Sequence, residues 1–284
     1  DSPTAGHCQL RPGDFALPRR LQSVNQFLTH WIYPYKGKFH PQMIRALLNI
    51  IKMKKGETLL DPFVGSGTAI LEAQLLGMNG IGIDISPLCV LISKVKTESI
   101  NVLDGIKKYK EFYLYKKGGK GGGDERVENF YKVAEMMAHS DQSRRGRNFD
   151  SSFVSDALKM IASTEDYSNA IKKLNLKIGK TKIIEGDTRK MNLKEESVDG
   201  IITSPPYSIA LNYVANDAHS LKALGYDLDK IKEDFIGVRG TGLNKFELYD
   251  RDMEKAYSEM YRVLKKGKYC VVIIGNVTFQ GQEI

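Results

Sequence analysis

Apolar residues fall into short runs along much of this chain, and between the runs they recur at helical spacing. The runs at 57–60, 81–84, 198–202 and 269–274 read as buried strands. Helical spacing marks 43–51, 69–76, 211–224 and 253–264, the last an amphipathic helix ended by Lys265-Lys266-Gly267-Lys268. Strand and helix in alternation predict an α/β domain with a doubly wound sheet. The alternation lapses near residues 101–180. The chain therefore divides into an N-terminal extension at 1–32, two halves of one domain at 33–100 and 181–284, and an insertion between them.

Two of the strands run into turns that carry chemistry. The first passes into Asp61-Pro62-Phe63-Val64-Gly65-Ser66-Gly67-Thr68, where glycines let backbone approach a ligand and the following helix offers free N–H groups. The next strand closes on Asp84, roughly twenty residues later, placed to take the two ribose hydroxyls of an adenosine-containing cofactor. Nicotinamide and flavin folds use similar turns, usually continued as G-x-G-x-x-G to seat a pyrophosphate. Here Ile70 stands in place of the last glycine and Asp61 precedes the turn. A carboxylate there repels pyrophosphate and attracts a cation, and S-adenosylmethionine, with its α-amino group and sulfonium, is such a ligand.

The second turn is Thr203-Ser204-Pro205-Pro206-Tyr207, at the carboxyl end of the strand 198–202, where open α/β sheets bind ligands. The prolines fix φ and remove two N–H donors, which leaves a stiff array of acceptors. An exocyclic amine such as N4 of cytosine is a poor nucleophile because its lone pair is delocalised into the ring. The Ser204 hydroxyl and the Pro205 carbonyl can hold both amino hydrogens and favour an sp3-like nitrogen as positive charge develops. Tyr207 would stack on the base. The bland alternative is a Pro-Pro turn after a core strand.

Together, Asp61-Pro-Phe-Val-Gly-Ser-Gly-Thr and Thr203-Ser-Pro-Pro-Tyr resemble the S-adenosylmethionine-dependent nucleic-acid amino-methyltransferases, and the serine form resembles their cytosine-N4 branch. The adenine-N6 branch more often carries Asp or Asn at the Ser204 position. The resemblance implies a Rossmann-like fold in which Gly65, Gly67 and Asp84 bind the cofactor, with Asp61, Phe63, Ser66, Thr68 and Ile85 beside them. Tyr35-Lys36-Gly37-Lys38-Phe39-His40-Pro41 is similar to the segment closing over the methionine end, which implicates Lys38, Phe39 and His40; it reads equally as a loop before a helix. Lys182 to Asp187 resembles the strand whose terminal carboxylate borders the adenine, implicating Asp187 and Thr188. Ser204, Pro205, Pro206 and Tyr207 would be catalytic; Thr203, Tyr213 and Arg239 would meet the substrate, the last from the loop Arg239-Gly240-Thr241-Gly242. The resemblance spans roughly 33–100 and 180–284. The glycine motif comes first here, the reverse of the order in many cytosine-N4 enzymes, so no target-recognition region can be assigned by position.

Composition narrows the partner. At 284 residues and 42% hydrophobic content the chain can bury a full domain plus an insertion. Lys and Arg exceed Asp and Glu by 42 to 34, for a net charge of +8 and a pI near 9.1, which favours a polyanion. Cys8, Cys89 and Cys270 are too scattered for a disulfide framework or a zinc site, and none follows a proline as a cytosine-C5 nucleophile would. They are expected to be inert in a reducing, cytoplasmic compartment. No apolar run reaches membrane-span length and no signal-peptide pattern opens the chain. The chain starts at Asp1 and stops at Ile284 soon after an apolar run, which reads as an incomplete protein.

The insertion mixes Lys107, Lys108, Tyr109, Lys110, Phe112, Tyr113, Tyr115, Lys116 and Lys117, then a glycine run at 118–123 and a second basic cluster at Arg144-Arg145-Gly146-Arg147. Such residues can neutralise phosphates and stack on unpaired bases, or they form a solvated helical face whose tyrosines pack inward. His219 within 211–224 reads as structural.

The whole predicts a doubly wound, Rossmann-like methyltransferase domain with a basic helical insertion, moving methyl from S-adenosylmethionine to N4 of cytosine in nucleic acid, DNA slightly before RNA, with no metal. A duplex target would have to be flipped out, at a cost of a few kcal/mol. The alternatives are adenine N6, another planar amine such as a glutamine amide, or a nucleic-acid-binding module with a decayed catalytic fold.

Overall fold

The computed structural model describes residues 27–110, 123–207, 213–240, 242–275, 278–279 and 282–283. Most of the N-terminal extension with Cys8, the aromatic and glycine-rich stretch 111–122, residues 208–212 and Thr241 lie outside the described residues. The side chain of Tyr213 does too.

Strands β1 (Thr58–Asp61), β2 (Asn79–Asp84), β3 (Thr181–Glu185), β4 (Val198–Thr203) and β5 (Leu264–Val272) form one sheet in the order β3-β2-β1-β4-β5, parallel throughout. Alternation along each strand sorts its side chains to opposite faces. Leu59 of β1 packs with Ile44 and Leu48 of α1 (Pro41–Ile50) and with Ile70 and Ala73 of α2 (Thr68–Leu75). Its neighbour Leu60 packs on the other face with Met260 and Val263, which close a long helix that follows β4. Helices thus cover both faces, as a doubly wound α/β domain requires. The strand order reverses at β1, which has β2 on one side and β4 on the other, and that switch point opens a crevice at the carboxyl ends of β1 and β4.

Helix α3 (Pro87–Glu98) starts with Pro87 in its first turn and Ser86 as its cap, the Ser86 hydroxyl accepting from the Cys89 N–H at 3.4 Å. The insertion is helical: α4 (Leu103–Lys108), α5 (Glu125–Arg145) and α6 (Phe149–Lys173). Asp124 and Asn148 cap the two long helices, and Gly146 ends α5 at φ 63°. Val127, Phe130, Val133 and Ala134 of α5 join Leu88, Leu91 and Ile92 of α3 in one buried cluster, so the insertion shares a core with the first half of the domain. Two of its tyrosines turn inward: Tyr131 donates to the Ile106 carbonyl at 2.7 Å and Tyr167 to Gln74 Oε1 at 3.1 Å.

After β4 come α7 (Tyr213–Asn216), α8 (Ala218–Ala223), α9 (Leu228–Asp234) and α10 (Gly242–Val263). Three expectations change here. The helix expected over 211–224 breaks at Asp217, which separates α7 from α8. The helix expected from Met253 begins eleven residues earlier and ends at Val263. Lys265 to Lys268, expected to end that helix, belong to β5 instead: pairing runs Val198 with Leu264 and then Gly200 with Tyr269, a register shift. Gly267 at φ 73° lies within the surplus residues. Ion pairs hold them, Lys265 to Asp199 at 2.7 Å and Lys268 to Glu57 at 2.6 Å. Nor is β5 a buried strand: Tyr269 is 58% exposed and Cys270 is exposed, because β5 lies at the edge of the described sheet.

Candidate functional site

The crevice at the switch point is a cleft, walled on one side by the turn after β1 and on another by the loop after β4. Gly65 and Gly67 both take positive φ, 49° and 77°. A side chain on Gly65 would meet the Tyr35 ring at 3.2 Å, and one on Gly67 would meet Ser93 Oγ at 2.8 Å. Tyr35 and the Ser93 helix α3 therefore close on the turn as only glycine permits.

Asp84, ending β2, braces this turn. Its carboxylate accepts from the Gly65 N–H at 2.9 Å and the Ser86 N–H at 2.8 Å. Burial pushes its pKa up to about 6, against the pull of those N–H donors. Asp84, Ile85, Gly65, Ser66 and Thr68 line the cleft; Gly67 does not, being spent on contact with α3. From the segment before α1, Lys38 and Phe39 line it, and Lys38 Nζ donates to the His30 carbonyl at 3.3 Å. His40 instead precedes α1 and pairs with Gln42 at 2.9 Å, off the wall.

Asp61 has a different neighbour from the one expected. Its Oδ1 accepts from the Thr203 hydroxyl at 2.7 Å and the Phe63 N–H at 3.2 Å, buried beneath the turn rather than facing the cleft. Thr203 and Asp61 thus join the two motifs from below, while Phe63 reaches the cleft. Burial lifts the Asp61 pKa to about 7 from 3.8, so its folded-state pKa exceeds the unfolded one. Stability from this group is greatest below pH 3.8 and falls as pH rises to about 7. Asp61→Asn keeps the acceptor and removes the charge. It is expected to be more stable than wild type by on the order of 3 kcal/mol at pH 8, with the gap closing below pH 4. Urea unfolding of cofactor-free protein measures this, and a destabilised variant at pH 8 would contradict it.

Ser204, Pro206 and Tyr207 line the cleft, and Pro205 is buried behind them. Two contacts that no motif announced hold the loop. Tyr249 of α10 donates to the Pro206 carbonyl at 3.0 Å, and the Gly275 N–H donates to the Tyr207 hydroxyl at 3.1 Å.

At the far end stand Asp187 and Thr188, the Thr188 hydroxyl donating to the Pro62 carbonyl. Arg189 organises this end. Its Nε pairs with both Asp187 oxygens at 2.9 Å, NH1 with Asp252 at 3.0 Å, and NH2 with the Asp234 carbonyl at 2.9 Å. Asp234, Phe235 and Ile236 are thereby drawn against the cleft. Arg239 also pairs with the buried Asp252, so the structure places it in this ion-pair node rather than on the cleft wall. His219 is off the wall, with Nε2 buried. Val214, Asp217 and Leu221 of the α7–α8 segment complete the wall, and sequence reasoning had no signal for them.

The second basic cluster reaches the rim: Arg144 donates to the Asn216 carbonyl at 3.0 Å, beside Asp217, while Arg145 and Arg147 pair with Asp141. Among the described residues no His, Cys, Asp and Glu group could hold a metal ion, and no helix is long and apolar enough to cross a membrane.

The cleft suits S-adenosylmethionine. Asp84, Lys38, Ser66 and Thr68 set polar groups along its wall, and Ile85 and Phe235, beside Asp187, offer apolar surface for a base. The model of the RMKL-like methyltransferase domain, UPF0020, matches residues 32–224. The type II methyltransferase M.MjaII of Methanocaldococcus jannaschii is 39% identical over 113 residues, 37% of this chain and 20% of that protein. M.BsoBI of Geobacillus stearothermophilus is 40% identical over 91 residues, 31% of this chain and 18% of that protein. A probable tRNA (guanine(10)-N2)-dimethyltransferase of Methanothermococcus thermolithotrophicus is 22% identical over 231 residues, 79% of this chain and 98% of that protein. The matched part spans about a fifth of the two type II methyltransferases. Since the domain model covers more than half of its residues and the cleft fits the cofactor, the chain belongs to the RMKL-like methyltransferase domain family, within the S-adenosylmethionine-dependent nucleic-acid methyltransferases.

Proposed function

We propose that this chain methylates the exocyclic N4 amino group of cytosine in nucleic acid, with DNA the preferred polymer. The observation that carries the reading is that Ser204, Pro206 and Tyr207 of one loop stand on the cleft wall, the Pro206 carbonyl already engaged by Tyr249. The Ser204 hydroxyl and the Pro205 carbonyl then serve as the two acceptors for the amine hydrogens, and Tyr207, fixed through Gly275, stacks on the base. S-adenosylmethionine would supply an activated methyl group, its S–CH3 bond breaking as the N–CH3 bond forms and the sulfur leaving as the neutral thioether of S-adenosylhomocysteine. The protein's task is position: Asp84 and the glycine turn hold the ribose, Asp187, Ile85 and Phe235 border the adenine, and Lys38 meets the methionine end. The amine loses its proton after alkylation has made it acidic, so no strong base is required of the chain.

Type II methyltransferases among the relatives support a DNA target. The basic cluster at Arg144 beside the cleft rim is the docking surface in this reading, where phosphates meet arginine. A second reading, guanine N2 in tRNA, has support from the tRNA (guanine(10)-N2)-dimethyltransferase aligned over 98% of its own length, whose target is also an exocyclic amine.

Incubation with labelled S-adenosylmethionine and either genomic DNA or total tRNA, followed by nucleoside mass analysis, separates the readings. N4-methylcytosine in DNA is the expected product. N2-methylguanosine in tRNA, or N6-methyladenine in either polymer, would replace the cytosine reading.

A further inference from the structure

Asp217 was invisible in the sequence and stands in the wall of the cleft, at the break between α7 and α8. It is 9% exposed. Among the described residues its only side-chain hydrogen bond is a long one, from the Tyr33 hydroxyl at 3.4 Å. That hydroxyl is itself shared with Ser220 at 2.7 Å. A carboxylate taken out of water with so little compensation is costly, and burial lifts its pKa to about 6 against the attraction of Arg144 and Lys36.

The other carboxylates on the wall are engaged or stand elsewhere. Asp84 accepts two backbone N–H groups, and Asp187 is held by Arg189. Asp234 belongs to the far end, beside Phe235 and Asp187. Asp217 belongs to the near end. It acts electrostatically on Tyr35 and on Cys89, and the Tyr35 ring is the surface packed against Gly65. Lys38 also lines the cleft. The Tyr35 end of the cleft therefore offers an under-compensated carboxylate, and the end bordered by Ile85, Asp187 and Phe235 offers apolar surface. A ligand with an ammonium group at one end and a purine at the other matches that polarity.

We propose that Asp217 receives the α-ammonium group of S-adenosylmethionine. The proposal rests on the family's cofactor and not on the base that is methylated. The ammonium gives Asp217 a charged hydrogen-bond partner that it lacks among the described residues, and so ties the α7–α8 segment to the methionine end of the cofactor. Asp217 thereby becomes a cofactor-binding residue of a segment whose sequence resembles no cofactor motif.

Titration calorimetry without nucleic acid tests it with three ligands: S-adenosylhomocysteine, its des-amino analogue, and 5′-methylthioadenosine, which lacks the amino acid altogether. Asp217→Asn is expected to weaken S-adenosylhomocysteine roughly ten- to a hundred-fold, as for a lost charged hydrogen bond, and to leave 5′-methylthioadenosine within about twofold. Wild type is expected to discriminate against the des-amino analogue by a similar factor, a measurement that needs no variant. Equal losses for S-adenosylhomocysteine and 5′-methylthioadenosine would make Asp217 a structural residue. Wild-type binding of the des-amino analogue as tight as that of S-adenosylhomocysteine would overturn the assignment. Either failure leaves the cytosine reading intact, because no base takes part, and a guanine or adenine product would leave Asp217 where it is.

Discussion

Ser204→Ala is expected to lower kcat for methyl transfer by about 10²–10³-fold, while the Kd for S-adenosylmethionine changes by less than about twofold. The hydroxyl sits on the cleft wall in a loop fixed at three points: Thr203 bonded to Asp61, Pro206 to Tyr249, and Tyr207 to Gly275. A loop so held does not relax to present another acceptor. The amine must lose conjugation with its ring before its lone pair can attack, and an acceptor that favours the pyramidal nitrogen acts more strongly in the transition state than in the ground state. Losing it therefore appears in kcat. The proposed cofactor contacts lie on other elements, the turn after β1 and the end of β2, so binding is expected to be spared. Single-turnover transfer beside calorimetric cofactor binding gives both quantities. A variant with near-normal kcat, or one whose cofactor affinity falls in parallel, would remove Ser204 from the reacting centre.

The largest stability effect is expected at Glu72. This residue of α2 is fully buried, accepting from His30 Nε2 at 2.6 Å and from Arg45 Nε. Burial opposes its charge, yet the His30 and Arg45 contacts prevail and hold its pKa below the ordinary value. Glu72→Ala leaves the Arg45 guanidinium without its buried anion and opens a cavity, a combination that costs about 3–5 kcal/mol. Urea midpoints at constant m-value measure the loss. A depressed folded-state pKa means the stabilisation is present above the unfolded value of 4.5 and is lost as pH falls through the folded value. Wild type should therefore lose its margin over Glu72→Ala as the solution is acidified below pH 4.5. A margin unchanged between pH 7 and pH 3 would show that Glu72 acts through packing alone.

Both motifs and the strands that launch them were readable because the signal is local: an apolar run, then residues whose backbone freedom or stiffness is itself the message. Gly65 with its positive φ and the two prolines after Ser204 are of that kind. Partnership across the fold is not local. Asp61 reads as a cation trap until Thr203, 142 residues away, is seen to donate to it. Arg239 reads as a loop-tip arginine until Asp252 is found beside it. The break at Asp217 lies inside apolar spacing that continues helically on both sides, so periodicity gives no warning. The tail of α10 and the start of β5 were misjudged because Lys265, Lys266 and Lys268 look like a helix end, whereas Asp199 and Glu57 recruit two of them to the sheet.

The Arg189 node has a consequence for how this protein can vary. One guanidinium serves Asp187, Asp252 and the Asp234 carbonyl, and Asp252 in turn holds Arg239. Substitutions within such a group do not add: once Arg189 is gone, Asp252 keeps only Arg239, and its further loss costs less than it does beside both arginines. The members are therefore expected to be exchanged as a set between related sequences. A chain that has lost the arginine should also have lost the acid on α10.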